Sequence, residues 1–211
     1  MNRISFVLLT ALAFAGCKKS SSGTAAKPVE PAAAVPAEPA AEPATPAAPA
    51  EAAKPAPPPA PTEASATLAP TTKTKSKVTG TITFKEVDGG VEVTANVEGL
   101  APGKHGYHVH ETGDCSAPDA SSAGGHFNPS GHKHGAPDAA EHHEGDFGNL
   151  TAGKDGKATM TFTMKGITLG EGPTSILGKG FIVHAKADDL KTQPTGNAGD
   201  RVACGVIQAK S

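Results

Sequence analysis

Tryptophan is absent from this 211-residue chain, tyrosine occurs once and phenylalanine seven times. So few aromatic rings leave little with which to stack on nucleobases or sugars. The formal net charge is only −2, so no basic field points to nucleic acid as a partner. Long hydrophobic runs are missing too: Ile4 to Ala15 is an apolar stretch too short to span a bilayer comfortably. Cysteine is scarce, at three residues, which excludes a disulfide-dense scaffold.

The little that stands at the N-terminus has the order of an export signal. Arg3 supplies a positive charge, the apolar run follows, and Phe14-Ala15-Gly16 leads into Cys17. Small residues directly before a cysteine resemble the lipobox of bacterial lipoproteins, with Phe14 where Leu is usual. That resemblance implies a signal peptide over 1–16 and acylation of Cys17, an anchor that strengthens by about 0.8 kcal/mol per buried methylene. An ordinary cleaved signal, with Cys17 incidental, is the alternative. If Cys17 carries lipid, Cys115 and Cys204 remain, and in an oxidising compartment they are a disulfide candidate.

Residues 17–62 are rich in Ala, Pro and Glu and poor in the aliphatic residues a core requires. A disordered stalk is expected, able to reach on the order of 130 Å at ~3.1 Å per residue. From 63 to 211 the pattern changes. Ala66 and Leu68 alternate with polar neighbours in a weak strand closed by Pro70. A stronger strand runs from Val78 to Val87. Asp88-Gly89-Gly90 makes a turn, and Val91, Val93, Ala95 and Val97 line one face of the return strand. Further strands are expected over 105–110, 157–164, 180–185 and 202–208. The stretches 111–148 and 188–200 show no period and are expected as loops. Short strands, Gly-rich turns and no amphipathic helix indicate an all-β antiparallel sandwich or barrel. A loop approaching forty residues needs something to order it.

All nine histidines fall between His105 and His184. His108-Val109-His110 is the most informative group, because residues two apart on a strand share a face and both imidazoles can converge on one ion. His126, His132, His134, His142, His143 and Asp146 follow, and His184 ends a late apolar strand. A solvated His-rich loop with loose metal affinity is the alternative, though it leaves the strand-borne histidines unexplained.

Five segments carry a resemblance: His105-Gly106-Tyr107-His108-Val109-His110-Glu111, Gly124-Gly125-His126-Phe127-Asn128-Pro129, Lys133-His134-Gly135, His143-Glu144-Gly145-Asp146, and Val183-His184-Ala185-Lys186-Ala187-Asp188-Asp189. With Gly196-Asn197-Ala198-Gly199-Asp200-Arg201-Val202-Ala203-Cys204, they are similar to copper–zinc superoxide dismutases, from about Glu63 to the C-terminus. The resemblance implies a Greek-key antiparallel β-barrel with a long metal-binding loop. It implies copper (Cu2+/Cu+) on His108, His110, His126 and His184, and Zn2+ on His126, His134, His143 and Asp146, with His126 as bridge. Four imidazoles suit Cu(II), and three with a carboxylate suit zinc. It further implies that Asp188 links His108 to His134, that Arg201 docks the anion, and that Cys115 and Cys204 are bonded. The implied activity is antioxidant: disproportionation of the superoxide anion, with Arg201 and His126 as catalytic residues. His105 matches no ligand position and is expected to be structural; His132 and His142 are expected to be solvated. The spacing of nine from His134 and three to Asp146 favours His143 over His142.

The loop between His184 and Arg201 carries few charges beyond Asp188, Asp189, Lys191 and Asp200, so only a weak salt dependence of the rate is expected. Cys115, five residues after His110, resembles the bacterial members. Lys18 after Cys17 is not the Asp that signals inner-membrane retention, which favours the outer membrane, on its periplasmic or exterior side. A homodimer and a tethered monomer both stay open. Two other functions stand beside the enzyme: a non-catalytic copper or zinc buffer, and a structural lipoprotein whose metals only order the loop.

Overall fold

Alternating apolar residues build the first three strands. The computed structural model describes residues 60–210; the expected leader, Cys17 and the expected stalk up to Pro59 lie outside the described residues. Strand β1 (Glu63–Pro70) buries Ala64, Ala66 and Leu68; β2 (Thr79–Val87) buries Ile82 and Phe84; β3 (Gly90–Glu98) buries Val91, Val93, Ala95 and Val97. Val87 pairs with Gly90, so the hairpin turn is the two residues Asp88-Gly89. Gly89 has φ 87°, the left-handed conformation that such tight turns demand and that glycine adopts without strain.

Strand β4 (Gly103–His110) is followed by β5 (Asp146–Ala152), β6 (Ala158–Met164), β7 (Gly180–His184), β8 (Arg201–Val206) and the short β9 (Gln208–Ala209). All the strand pairings are antiparallel, in the order β5-β4-β7-β8-β1-β2-β3-β6, with β9 added beside β1. The end strands β5 and β6 also lie against each other, so the sheet curls into a nearly closed Greek-key barrel. One core fills it. Phe84, Tyr107, Phe147, Phe162 and Phe181 meet there, edge to face except for the tilted Tyr107–Phe181 pair, with centroid separations of 5.7–6.2 Å, a preferred aromatic geometry.

One strand differs from the sequence reading. The expected loop over 111–148 ends at Gly145, and β5 begins at Asp146. Gly148 and Asn149 interrupt any period, and Asp146, Phe147 and Gly148 are buried in succession, because the loop covers the outer face while the core takes the inner one. Alternation cannot reveal a strand that is buried on both sides. Within the loop the only regular element is a 3-10 turn, Ser121–Ala123. Among the described residues no helix is long and apolar enough to cross a membrane.

Candidate metal centre

Strand parity places the first candidate ligands. On β4, His105, Tyr107 and Val109 face one side, Tyr107 and Val109 within the barrel core. His108 and His110 face out, yet are fully buried beneath the loop. On β7, Phe181 and Val183 face the core while His184 faces the same outer side as the β4 histidines. The ladder slips between Gly106 and His108, and again between Val183 and His184. Such bulges re-aim side chains beside functional sites.

The loop returns to the sheet through its backbone. Phe127 N donates to Val109 O at 2.8 Å, Val109 N to Gly145 O at 3.0 Å and Gly145 N to Phe127 O at 2.9 Å. Phe127 sinks into the barrel core, and a bridge pairs His126 with His110. His126 thereby joins His108, His110 and His184, with one ligand atom from each lying within 4.8 Å of the others. His126, His134, His143 and Asp146 form a second such group.

The unpaired nitrogens test whether these groups fit metals. His110 Nδ1 donates to Gly124 O (3.0 Å) and His184 Nδ1 to Gly199 O (3.1 Å); His108 Nε2 donates to Asp188 Oδ2 (2.8 Å). The other nitrogen of each ring, and Nε2 of His126, is buried without any hydrogen-bond partner. Four orphaned acceptors converging in a dry site would be costly; a cation is what satisfies them, and fixing the opposite N–H is how ligand tautomers are set. In the second group, Nδ1 of His126, His134 and His143 lie 2.7, 2.9 and 3.2 Å from the same Asp146 Oδ1. Nδ1 of His134 and Nδ1 of His143 nevertheless make no hydrogen bond. Distances near 3 Å are the edges of a tetrahedron with bonds of ~2.0 Å. Asp146 Oδ2 accepts from Gly135 N (3.0 Å) and His143 N (2.9 Å), which leaves Oδ1 as the ligand atom. Both donor sets fit: imidazoles alone for copper, imidazoles with a carboxylate for zinc.

Burial holds the first group neutral, as ligands must be. Desolvation pushes His108 below its ordinary value and His110 and His184 well below it, and takes His126 down to about 4. His134 differs. Burial would lower it, but the adjacent carboxylates of Asp146 and Asp188 outweigh that and raise it to about 9. Asp146 and Asp188 are held below the usual carboxylate range; burial opposes this, and their histidine partners override it.

Asp188 spans the two groups, accepting from His108 and, through Oδ1, from His134 Nε2 at 3.0 Å. A Cβ at Gly196, where φ is 65°, would strike Asp188 Oδ1 and His134 Nε2, so only glycine permits this approach. Arg201 opens β8, and its guanidinium is clamped by two carbonyls, Nη1 to Ala120 O and Nη2 to Gly124 O, each 2.6 Å. Cys115 and Cys204 form a disulfide with a Cα separation of 5.8 Å, which ties the loop to β8.

His105 is buried, its ring nitrogens 2.8 Å from the carbonyls of His184 and Ala101, as a structural residue should be. His132 is exposed as expected. His142 is not fully solvated: it is half-buried, with Nδ1 2.7 Å from His143 O, and lines a cavity of about 490 Å³ with Phe162 and Met164. Three further residues act at the site without any sequence signal. The Asn149 amide exchanges hydrogen bonds with the backbone of Asp188 (2.9 and 2.8 Å), and the Gln193 amide does the same for His134 (2.8 Å each). Ala120 offers only a carbonyl.

The family model described as "Copper/zinc superoxide dismutase (SODC)" matches residues 78–207. A solved structure titled "Crystal Structure Analysis of the clock protein EA4" is 40% identical, with a TM-score of 0.65, over 72% of this chain and 96% of that one. The shared barrel, the two histidine groups joined at His126 and the matched span together place this chain in the copper/zinc superoxide dismutase family.

Proposed function

We propose that the chain disproportionates superoxide, converting two superoxide anions and two protons to dioxygen and hydrogen peroxide. The observation that carries this is the pairing of the two ligand groups through one imidazole, His126, beside a clamped cation, Arg201. Bound copper, cycling between Cu2+ and Cu+, supplies one-electron redox chemistry, and bound Zn2+ orients His126. The chain's own residues do the rest. Arg201 holds a fixed positive charge for a small anion. His126 can take a proton at Nε2 and deliver it, since its Nδ1 is committed to the Asp146 side. The few charges over 185–200 leave Arg201 as the main local attraction, so the rate should depend weakly on salt.

The leader and Cys17 support export and lipid anchoring at the cell envelope, and Lys18 favours the outer membrane. Both ligand groups are complete within one chain, so a tethered monomer suffices for the chemistry. The second reading is a metal buffer. The carbonyl clamp on Arg201 favours the enzyme, because storing a metal needs no oriented guanidinium. The test is the dismutation rate of copper- and zinc-loaded protein against the zinc-only form, with Arg201→Ala alongside. An enzyme loses at least tenfold in rate with Arg201→Ala and keeps its copper. A loaded protein no faster than the zinc-only form leaves the buffer.

A further inference from the structure

The guanidinium of Arg201 is clamped at its far end, but both the clamp and the backbone it starts from need support. Arg201 is the first residue of β8 and pairs with His184 just beyond a register slip, so the ladder alone holds it poorly. Its carbonyl is taken by Thr71, whose Oγ1 donates at 2.7 Å. That hydroxyl in turn accepts from Thr74 Oγ1 at 2.7 Å, and Thr71 N donates to Val202 O at 3.0 Å. Thr71 is 6% exposed, so its hydroxyl has little access to solvent as a substitute.

The same connection between β1 and β2 reaches the other end. Lys73 N donates to Pro118 O at 2.8 Å, and Lys73 Nζ to Asp119 Oδ2 at 3.1 Å. Asp119 Oδ1 accepts from Ser121 N at 3.0 Å. Between these anchors sits Ala120, a fully buried non-glycine residue at φ 55°, a conformation that persists only where neighbours impose it. Its carbonyl is the one that receives Nη1 of Arg201. A cavity of about 180 Å³ beside the guanidinium is walled by Lys73, Thr74, Asp119 and Ser121.

We infer that Thr71 and Lys73 are positioning residues for Arg201, lacing the β1–β2 connection to its backbone and to the turn that presents the Ala120 carbonyl. This rests on the reading of Arg201 as the anion dock. An exposed lysine–aspartate pair adds little stability, so its value here is directional. Lys73 does not act as a steering charge, because Asp119 neutralises it.

The test uses the full-length chain, loaded with copper and zinc, as wild type, Thr71→Val, Thr71→Ser and Asp119→Asn. Modification of Arg201 by phenylglyoxal is followed by peptide mass spectrometry; Arg201 is the one arginine beyond Arg3. Azide serves as a small-anion probe through the copper absorption band. In Thr71→Val, Arg201 is expected to react about fivefold faster and azide to bind about fivefold more weakly, the scale of one ordinary hydrogen bond. Metal content and the salt dependence of azide binding stay as in wild type, and Thr71→Ser restores both readouts. If Thr71→Val fails to load metal, Asp119→Asn carries the test, since Asn keeps the bond to Ser121 N and loses only the pair with Lys73. Wild-type labelling rates in the folded variants overturn the proposal. So does an azide effect in a further variant, Lys73→Ala, that is absent from Thr71→Val and Asp119→Asn and vanishes in high salt, which is steering. Labelling is read whether or not the protein dismutates superoxide, so failure of the enzyme reading is seen separately in the wild-type rate.

Discussion

His110 and Arg201 share one acceptor: the carbonyl of Gly124 receives Nδ1–H of the histidine at 3.0 Å and Nη2–H of the arginine at 2.6 Å. A single peptide unit therefore sets both the tautomer of a candidate metal ligand and the direction of the guanidinium proposed to dock the anion. Lysine has one point charge and cannot span the two carbonyls that arginine bridges. Arg201→Lys is expected to keep copper and zinc but to lose about tenfold in dismutation rate, the scale of a charge-assisted hydrogen bond. Rate and metal content measured on the same sample check this; an undiminished rate shows that charge alone suffices.

Asp188 belongs to neither candidate metal group, yet it hydrogen-bonds to His108 of one and His134 of the other. Partners of this kind typically contribute 10–100-fold to metal affinity. Asp188→Ala is expected to weaken zinc binding by about that factor, because His134 also loses the carboxylate that orients its ring. Competition with a zinc-binding dye measures it. Unchanged zinc affinity would mean that Gln193 and the loop backbone hold His134 unaided.

The disulfide closes a long loop, its two cysteines standing 89 positions apart in the sequence. Cys204 also packs with Ala120, Ala123 and Ile182, under the turn that faces Arg201. Replacing Cys115 by Ser is expected to cost about 2–4 kcal/mol of unfolding free energy, seen as a lower urea midpoint. Arg201 should become more reactive as the Ala120 turn loosens. A midpoint equal to wild type would contradict the structural role.

Metal-free protein should be most stable near pH 6.5. The His126 value is lowered to about 4 in the fold by burial, and His108, His110 and His184 are lowered in the same direction. The unfolded chain therefore binds more protons below 6.5, and stability falls as pH drops from there. His134 runs the other way. Despite its burial, Asp146 and Asp188 raise it to about 9, so its contribution is full below 6.5 and is lost as pH rises through 9. Thermal midpoints from pH 5 to 10 should trace that maximum without metal. Loading should remove the alkaline decline, since a ligated His134 has already released its Nδ1 proton. A midpoint that keeps rising to pH 9 without metal would refute the assignment to His134.

Strand alternation and residue spacing made much of this legible. Val91 to Val97 announce an inward face, and His108-Val109-His110 announces two imidazoles on the opposite side from the core; both follow from the period of two. Spacing favours His143 over His142, and it is His143 whose ring stands with His126, His134 and Asp146 in a group that could hold a metal. Strand β5 was not legible, because Asp146, Phe147 and Gly148 are buried in a row. Nor was the half-burial of His142, which depends on Phe162 and Met164 from β6.

The sequence by itself determined the residue types and their faces: which segments alternate, which histidines stand on strands, and the one arginine beyond Arg3, set in the family's context. Those are local properties, set by chemistry and by the geometry of one strand. Tertiary structure alone decided what the backbone contributes: the Gly124 and Ala120 carbonyls on Arg201, the approach of Gly196 to Asp188, and the reach of Thr71 and Lys73 across 130 and 46 residues of sequence. Every residue carries the same carbonyl and amide, so no residue type signals which of them will be used. Only the fold, by bringing distant segments within about 3 Å, makes that choice.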